Sequence, residues 1–489
     1  MLFRSNRSAE AFTSWSTTWD EQFSNLWEIA NVNTTEGASY LIFQAYTHNP
    51  RPDELVPGTS FGDGICTPFL RAQTWWKHMH SFTDCAARTS FLLERGKPVS
   101  DVLWYLGDEL DHKPDQYAPF PEGYKYDYCN PDVLLHRLKV ENGLLCTPEG
   151  LSYRLLYLPQ TRRMLPETLE KIVQLVDEGA IVVGGRPEGL ATLSGGAASQ
   201  ECWNKAVKTL WDEGKVCTLP LEEALEKYHL HPDLQGGPVL WQHRKTEGAD
   251  WYYVCAPKGG SFEGTLSLRA QGSVERWSPI TGERLSLDSQ VQGDRTEVHV
   301  SLQQAESCFL VVQHNSRNRK SEQIEQTGSI AIEGPWTFSI PSGWGLDHPI
   351  QLPSLSWIKD LDIPAEAKAF SGTSTYGTRF SLEKKESHTR YVLNLGEVGQ
   401  IARIVLNGKP LPCLWIAPYE QDISSLLWKG ENELTIEITN TWFNRLSYEA
   451  ALPETERKTW TTRYPSPEEP LRKSGLKGPV KIDIRKQEK

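Results

Sequence analysis

The alternation of strand and helix patterns between Pro98 and Lys258 constrains the fold of this chain more than any other feature of its sequence. Short apolar runs alternate there with amphipathic segments, and the loops between them are short. The helix predicted over 165–180 has a proline in its first turn, and the one over 130–138 begins at Asn130, a residue type that favours helix starts. The predicted strands are VSDVLWYLG, SYRLLYLP, IVVGG and ADWYYVCAPKG. This alternation predicts a parallel sheet with helices on both faces, in a flavodoxin-like layout.

After Gly259 the pattern changes to short strands separated by turns. The segments GTLSLRAQG, SVERWSP, TEVHVSL and SCFLVVQH predict a small antiparallel β unit over 259–315. The polar stretch NSRNRKSEQIEQTGS is typical of a linker. Further strand segments up to the carboxyl terminus then predict a jelly-roll β-sandwich over 316–489.

The first 97 residues combine helical segments with one clear strand, ASYLIFQAYTH, over Ala38–His48. The strand ends in polar residues and enters a loop rich in proline and glycine, as the strands of α/β proteins do where they present a site. A helix is predicted over Thr74–Gly96. With domains over 1–97, 98–258, 259–315 and 316–489, the chain of 489 residues is a multidomain protein that combines α/β and all-β parts.

Composition excludes several classes of partner. The formal net charge is −12 and the basic residues form no concentrated patch, so a nucleic-acid partner is not expected. The sequence has no apolar run long enough to cross a membrane and no apolar signal segment at its amino terminus. Nine scattered cysteines without a CxxC pair indicate neither a disulfide scaffold nor a zinc site. The 18 tryptophans suit both sugar stacking and core packing, and both interpretations stay open.

Three sets of motifs point to one family. SAEAFTSW, FQAYTHNP and the long segment from PGTSFGDG to DVLWYLG resemble the end of the catalytic barrel of α-L-rhamnosidases of glycoside hydrolase family 106. YDYCNPDVLLHRL, GLSYRLLYLP and the helix over 165–180 resemble the flavodoxin-like domain of these enzymes. VLNGKPLPCLWIAPYEQDI and KGENELTIEITNTWFNRL are similar to their galactose-binding-like jelly roll.

The resemblance implies a glycoside hydrolase that acts on rhamnose-containing plant-type polysaccharides or glycosides, with Glu10 as an active-site carboxylate. Glycoside hydrolysis needs two carboxyl groups, and an inverting enzyme uses one as a base to activate water and one as an acid. Glu10 is our candidate for the base. In the family most of a (β/α)8 barrel precedes this motif and carries the other carboxylates, so residues 1–97 are expected to be the incomplete end of that barrel.

Several consequences follow from that resemblance. The isolated chain is expected to be weak or inactive, with its missing barrel part on another chain or supplied by a homo-oligomer. Some family members hold calcium near the substrate, but no metal ligands can be assigned here, and no cofactor is otherwise expected. Relatives are mostly exported, but no signal segment is visible in this sequence. The localisation therefore stays open. An alternative function is a non-catalytic carbohydrate-binding or scaffolding protein derived from such an enzyme.

The remaining candidate residues surround the predicted strand. His48, at its carboxyl end, is expected either to hold sugar hydroxyls or to serve a structural role in the loop. Gln44 and Tyr46 alternate with it and are candidates for lining the pocket. Trp75 and Trp76 point to different sides of a helix, so at most one faces a sugar, and Trp75 is the candidate, although packing is the safer interpretation for both. Acids of the following loop could replace the missing carboxylate, although solvated turn residues are the commoner case: Asp53, Glu54 and Asp63. A structural role for Glu10, paired with the backbone or with Arg7, is the alternative to catalysis.

Overall fold

A computed structural model shows several α/β and all-β units in succession. It describes residues 7–15, 17–49, 55–62, 64–108, 120–158, 163–314, 316 and 324–487. Within these residues, no helix combines the length and the apolar character needed to span a bilayer.

The first unit places two short parallel strands beside two helices. Its elements are β1 (Ser8–Ala11), α1 (Phe23–Thr35), β2 (Tyr40–Phe43), β3 (Pro57–Gly58), a 3₁₀ turn (Trp76–His78), α2 (Met79–Leu93) and β4 (Lys97–Pro98). Strands β1 and β2 pair in parallel. Apolar side chains recur on α1 at spacings of three and four residues, and all of them are buried: Phe23, Leu26, Trp27 and Ala30. This amphipathic pattern makes α1 pack against the strands and against α2.

The strand predicted over 38–48 is shorter in the structure, because β2 ends at Phe43. Its partner β1 stops before Phe12, whose backbone has a left-handed φ of 71° and leaves the strand direction. The pairing of the two strands therefore ends with Ala11 and Phe43, and β2 ends there. Three of the candidate site residues therefore lie on the segment that follows the strand: Gln44, Tyr46 and His48.

The second unit contains a parallel sheet, as the alternating pattern predicted. Its strands and helices are β5 (Val102–Tyr105), β6 (Tyr126–Cys129), α3 (Pro131–His136), β7 (Lys139–Glu141), β8 (Leu144–Cys146), β9 (Ser152–Tyr153), β10 (Leu155–Leu158), β11 (Arg163–Met164), α4 (Pro166–Asp177), β12 (Val182–Gly184), β13 (Gly189–Leu190), α5 (Gly196–Val207), a π turn (Lys208–Asp212) and α6 (Leu221–Lys227). Among the described residues the sheet order is β6-β5-β10-β12, all parallel. Asn130 caps α3 as expected, accepting a hydrogen bond from the Val133 amide at 3.1 Å.

The third unit is antiparallel and begins earlier than the sequence indicated. Its strands are β14 (Leu234–Gln235), β15 (Leu240–Lys245), β16 (Ala249–Cys255), β17 (Phe262–Leu268), β18 (Ser273–Trp277), β19 (Arg284–Leu287), β20 (Ser289–Gln292), β21 (Arg295–Leu302) and β22 (Ser307–Gln313). Strand β16, predicted as part of the parallel unit, lies between β15 and β22 and pairs with both in antiparallel fashion. The assignment of 240–255 to the parallel sheet was therefore wrong. Because β16 is buried along most of its length, it shows no alternation that would mark an antiparallel strand.

The last unit is a sandwich of a four-stranded and a six-stranded antiparallel sheet within the described residues. Its elements are β23 (Ile324–Ala331), β24 (Trp336–Ser339), β25 (Ile350–Leu352), a 3₁₀ turn (Ile358–Asp360), α7 (Ala365–Lys368), β26 (Thr373–Leu382), β27 (Thr389–Asn394), β28 (Glu397–Gly399), β29 (Ile401–Leu406), β30 (Lys409–Pro410), β31 (Glu420–Asp422), β32 (Gly430–Thr439), α8 (Phe443–Ala450), a 3₁₀ turn (Glu454–Glu456), β33 (Trp460–Thr461), β34 (Gly475–Gly478) and β35 (Lys481–Gln487). Apolar side chains of both sheets meet in one core.

The first and last units share a hydrophobic core. Trp415 of the sandwich lies 5.8 Å from the ring of Phe82 and 6.1 Å from that of Phe23, measured between ring centroids. His78, next to α2, lies 3.1 Å from the hydroxyl of Thr439. Strand β3 also pairs with β33 of the last unit. These contacts fix the β1–β2 strands against the sandwich.

Candidate active site

Glu10 projects from the exposed face of the β1–β2 sheet, opposite the face that packs on α1 and α2. Ser8 pairs with Tyr40 and Glu10 with Ile42, so these four side chains lie on the same face. Tyr40 is 50% and Ile42 is 52% exposed. The opposite face carries Phe43 and packs on the helices. The sheet therefore presents a carboxylate and two large apolar side chains to solvent.

Thr13 connects Glu10 to Gln44. Its hydroxyl oxygen lies 2.9 Å from Oε1 of Glu10 and 2.6 Å from Oε1 of Gln44. A hydroxyl has one proton, so it cannot donate to both oxygens. With the Gln44 amide turned over, its NH₂ group donates to Thr13 and Thr13 donates to Glu10, which satisfies all three groups. Oε2 of Glu10 accepts no hydrogen bond from the described residues.

Arg7 does not hold Glu10. Its guanidinium donates to Oδ1 of Asp127 at 2.7 Å, and its backbone amide donates to Ser39 at 2.9 Å. The alternative in which Arg7 pairs with Glu10 in a purely structural role is therefore contradicted. Thr13, which the sequence analysis did not single out, provides the contact instead.

Cys66 lies beneath this group and is 1% exposed. Burial, and next the charge of Glu10, raise the pKa of the Cys66 thiol, so it is uncharged at neutral pH. Its backbone amide donates to the carbonyl of Ser14 at 2.9 Å, and the Thr67 amide donates to that of Phe12 at 3.1 Å. The segment around Cys66 thus holds the loop that contains Thr13.

The other residues predicted on the strand differ in their surroundings. The backbone amide of Gln44 donates to the carbonyl of Ala11 at 3.0 Å, which keeps Gln44 close to the end of β1. Tyr46 is 65% exposed, and its ring centroid lies 6.5 Å from that of Trp76. His48 is exposed and makes no hydrogen bond with the described part of the chain. The structure therefore connects Gln44 to Glu10 and Tyr46 to Trp76, but does not connect His48 to either pair.

Trp75 is a core residue, so its predicted contact with sugar was wrong. Its side chain is 1% exposed and its indole nitrogen donates to the carbonyl of Glu21 at 3.0 Å. Its ring packs against Phe23 and Phe69 at centroid distances of 5.3 and 6.0 Å. Of the two neighbouring tryptophans, Trp76 is the one that reaches Tyr46.

Two exposed aromatic side chains lie on the loop that follows β1 and on the loop that follows β3. Trp15, which follows Thr13 by two residues, is 87% exposed, and Phe61 is 50% exposed. The two loops meet where the Thr17 amide donates to the carbonyl of Gly64 at 2.7 Å. Exposed aromatic rings suit stacking on the apolar face of a pyranose.

The acids weighed as substitutes for a second carboxylate, Asp53, Glu54 and Asp63, lie outside the described residues. The described residues also contain no group of three or more His, Cys, Asp or Glu side chains arranged to hold a metal ion. No step below depends on a calcium ion.

Comparison with known proteins identifies the family. The sequence model of the alpha-L-rhamnosidase family, glycoside hydrolase family 106, matches residues 4–290, and that of the glycosyl hydrolase 2 galactose-binding domain-like family matches residues 365–479. A rhamnosidase from Novosphingobium sp. PP1Y superposes with a TM-score of 0.89 at 27% identity, over 99% of this chain and 48% of that chain. A protein named putative beta-glucuronidase from Formosa agariphila is 23% identical over 97% of this chain and 62% of its own length.

The chain thus spans about half the length of the rhamnosidase and less than two thirds of the other relative. Its fold combines α/β and β parts with a galactose-binding-like domain. The family match covers more than half of the chain and contains Glu10 together with the β1–β2 strands. This chain belongs to glycoside hydrolase family 106, the α-L-rhamnosidase family.

Proposed function

We propose that this chain forms the carboxyl-terminal part of a glycoside hydrolase that cleaves α-L-rhamnosides, with Glu10 as one of its two active-site carboxyl groups. The observation that carries the proposal is the position of Glu10 on a parallel strand, on the sheet face left free by the helices, with Thr13 donating to one oxygen only. In (β/α)8 enzymes the active site lies at the carboxyl ends of the strands, and Glu10 is the last residue but one of β1.

Glu10 acts in this proposal as the general base of an inverting hydrolysis. The Thr13 hydroxyl fixes Oε1, and Oε2 remains available to accept a proton from a water molecule that attacks the anomeric carbon. The leaving oxygen takes its proton from a second carboxyl group, which an inverting enzyme places roughly 6.5–9.5 Å from the base. Tyr46 and Trp76 supply apolar surface for the sugar ring, and Gln44 keeps Thr13 in place.

The second carboxyl group is supplied, we infer, by barrel strands that are not part of this chain. The exposure of Tyr40 and Ile42, which would face the interior of a closed barrel, supports this inference. So does the match of almost the whole chain to less than half of the rhamnosidase. The missing strands can belong to the same longer polypeptide or to a separate chain.

The same proposal assigns the other units. Residues 1–97 form the end of the (β/α)8 barrel. The sheet order β6-β5-β10-β12, which is 2-1-3-4 in chain order, supports a flavodoxin-like second domain. Residues 316–489 form the jelly roll. The substrates we propose are rhamnose-containing plant-type polysaccharides or glycosides, as for the family.

The test is hydrolysis of 4-nitrophenyl α-L-rhamnopyranoside by two forms of the protein. One is the 489-residue chain, and the other is the same chain extended by the in-frame coding sequence upstream of Met1. We expect turnover in the extended form and little in the shorter one. In the active form, Glu10→Gln should lower kcat by roughly 10²–10⁴-fold, the usual contribution of a general base. Glu122→Gln is the matched control, because Glu122 is exposed and lies in the second unit.

Three other results of the hydrolysis assay would contradict parts of this proposal. Full activity of the 489-residue chain would show that the site is completed within this chain or between two copies, contrary to the inference about outside strands. An active form unaffected by Glu10→Gln would remove Glu10 from the mechanism. Absence of barrel strands upstream, together with no turnover, would favour the alternative of a non-catalytic carbohydrate-binding or scaffolding protein.

A further inference from the structure

A large cleft lies on the far side of α2 from Glu10. It has a volume of about 910 Å³ and is bounded by α2, by the β18–β19 turn and by the outer face of the β23-β35-β27-β31 sheet. Helix α2 buries Phe82 and Cys85 in the core and presents Asp84 and Arg88 to this cleft. The helix therefore separates the cleft from the β1–β2 face.

We propose that this cleft binds a neutral glycan chain, as a second carbohydrate site distinct from the one around Glu10. The proposal does not depend on whether the chain hydrolyses rhamnosides. It rests on the polar groups of the cleft floor and wall, on their balance of charge and on the volume of the cleft.

The floor of the cleft is a rigid polar surface. The guanidinium of Arg485 lies 2.7 Å from Oε2 of Glu420, while the side-chain amide of Asn394 donates to Oε1 of the same carboxylate at 3.0 Å. On the same sheet face, Asp483 is 1% exposed and accepts from the Gln326 amide at 3.1 Å. These mutual bonds hold donors and acceptors in place before any ligand arrives, which lowers the entropy cost of binding.

The wall formed by α2 offers both a donor and an acceptor. Nη1 of Arg88 donates to the carbonyls of Pro279 and Ile280, each at 3.0 Å, which fixes the guanidinium against the β18–β19 turn. Its Nη2 group donates to no atom of the described residues, and the exposed Asp84 carboxylate accepts from none of them either. Sugar hydroxyls donate and accept at the same oxygen, so they can satisfy both groups.

The charges that line the cleft nearly cancel. Four arginines face five acids: Arg88, Arg276, Arg390 and Arg485 against Asp84, Glu283, Glu306, Glu420 and Asp422. A polyanion needs a predominantly positive surface, and a polycation a predominantly negative one. A neutral polyhydroxylated ligand matches alternating donors and acceptors without a net charge.

The volume of the cleft selects a chain rather than a single sugar. If each non-hydrogen atom takes at most the roughly 30 Å³ that a water molecule occupies in the liquid, a sugar unit of about eleven such atoms needs no more than about 330 Å³. A cleft of about 910 Å³ therefore accommodates two to three linked units. It also lies within the usual range for ligand sites.

Affinity gel electrophoresis of the 489-residue chain tests the proposal with defined polymers. Galactan and arabinan serve as neutral probes, and polygalacturonate as the anionic probe. We expect a neutral polymer to retard the wild-type chain and polygalacturonate to leave its mobility unchanged. Thr281→Trp should abolish the retardation, because Thr281 is exposed at the cleft and a tryptophan there would fill it. Asp84→Ala should weaken binding by about threefold or more, the effect of one lost hydrogen bond.

Glu10→Gln is the control that separates the two sites, and it should bind the neutral polymer as the wild type does. Loss of binding in Glu10→Gln but not in Thr281→Trp would place the glycan at the β1–β2 face and overturn the proposal. Retardation that survives Thr281→Trp, or no retardation of the wild type by either neutral polymer, would overturn it as well. Thr281→Trp must keep the thermal midpoint of the wild type, and Asp84→Ala provides a fold-neutral second variant.

Discussion

Raising the pH from 6.5 to 8 should destabilise this protein through one buried histidine, His243. The side chain is 3% exposed. Its Nδ1 lies 2.8 Å from Asp233, and its Nε2 lies 2.8 Å from Asp250. A histidine that donates to carboxylates from both ring nitrogens carries both protons and is therefore positively charged. Tyr252 donates to the other oxygen of Asp233 at 2.8 Å, and His314 contacts Asp250.

The magnitude follows from the shift in pKa. Burial by itself would lower the pKa of His243, but the charges and hydrogen bonds of Asp233 and Asp250 outweigh it and raise the pKa to about 9. The pKa in the unfolded chain is about 6.5. Because the folded value is the higher one, the stabilisation is complete below pH 6.5 and is lost as the pH rises toward 9. Between pH 6.5 and 8 the loss amounts to about 1.5 kcal/mol.

Equilibrium unfolding in guanidinium chloride, followed by far-UV circular dichroism, measures this loss. The pH range ends at 8 because unfolded cysteine thiols begin to ionise near pH 8.5. Asp250→Asn removes one of the two charges that hold the proton, so the loss should shrink and move to lower pH. His299→Gln is the control, since His299 is 63% exposed, and its loss should equal that of the wild type. A free energy of unfolding that is constant from pH 6.5 to 8 in the wild type would refute the assignment of a charged His243.

Two further predictions concern contacts of the sandwich. Burial, and next the charges of Lys77 and Arg403, lower the pKa of His78 to about 4, so its stabilisation is complete above pH 6.5 and about 3 kcal/mol is lost as the pH falls to 4. The difference in free energy of unfolding between wild type and His78→Gln, measured at pH 7 and pH 4, should change by that amount, and an unchanged difference would contradict it. Glu449→Ala should cost about 3–5 kcal/mol, because Glu449 is fully buried against Arg445. Glu431→Ala, at an exposed ion pair, should change thermal stability by less than about 0.5 kcal/mol, and equal effects of the two substitutions would show that burial does not govern the cost.

Local sequence patterns predicted helix starts well, because a capping residue or a first-turn proline acts on the backbone next to it. The Asn130 cap and the proline at the start of α4 mark helix starts whatever the rest of the fold does. Family motifs along the chain predicted the family correctly, while the role of Glu10 stays a prediction. The parallel pairing of β5 with β10 followed from the helix predicted over 130–138 between them, since parallel neighbours need crossover connections.

Pairing partners and burial were not predictable from local pattern. An apolar run such as β16 is compatible with a central strand of either sheet type, and only its contacts with β15 and β22 decide between them. Trp75 and Trp76 have the same local signals, but Phe23 and Phe69 enclose one of them and leave the other beside Tyr46. The length of β2 depended on the backbone of Phe12 in its partner strand.

Helices α1 and α2 and the sandwich hold the two strands that present Glu10, and none of these elements is a strand of the proposed barrel. Their packed face contacts α1 and α2, and these helices share a core with Trp415 of the sandwich. The β3–β33 pairing adds a second attachment through the loop that follows β2. The hydrogen bonds of Thr13 to Glu10 and Gln44 lie wholly within this supported unit. In the proposed enzyme, the outside strands would therefore contribute the acid and exclude water, while the sandwich already fixes the position of the base.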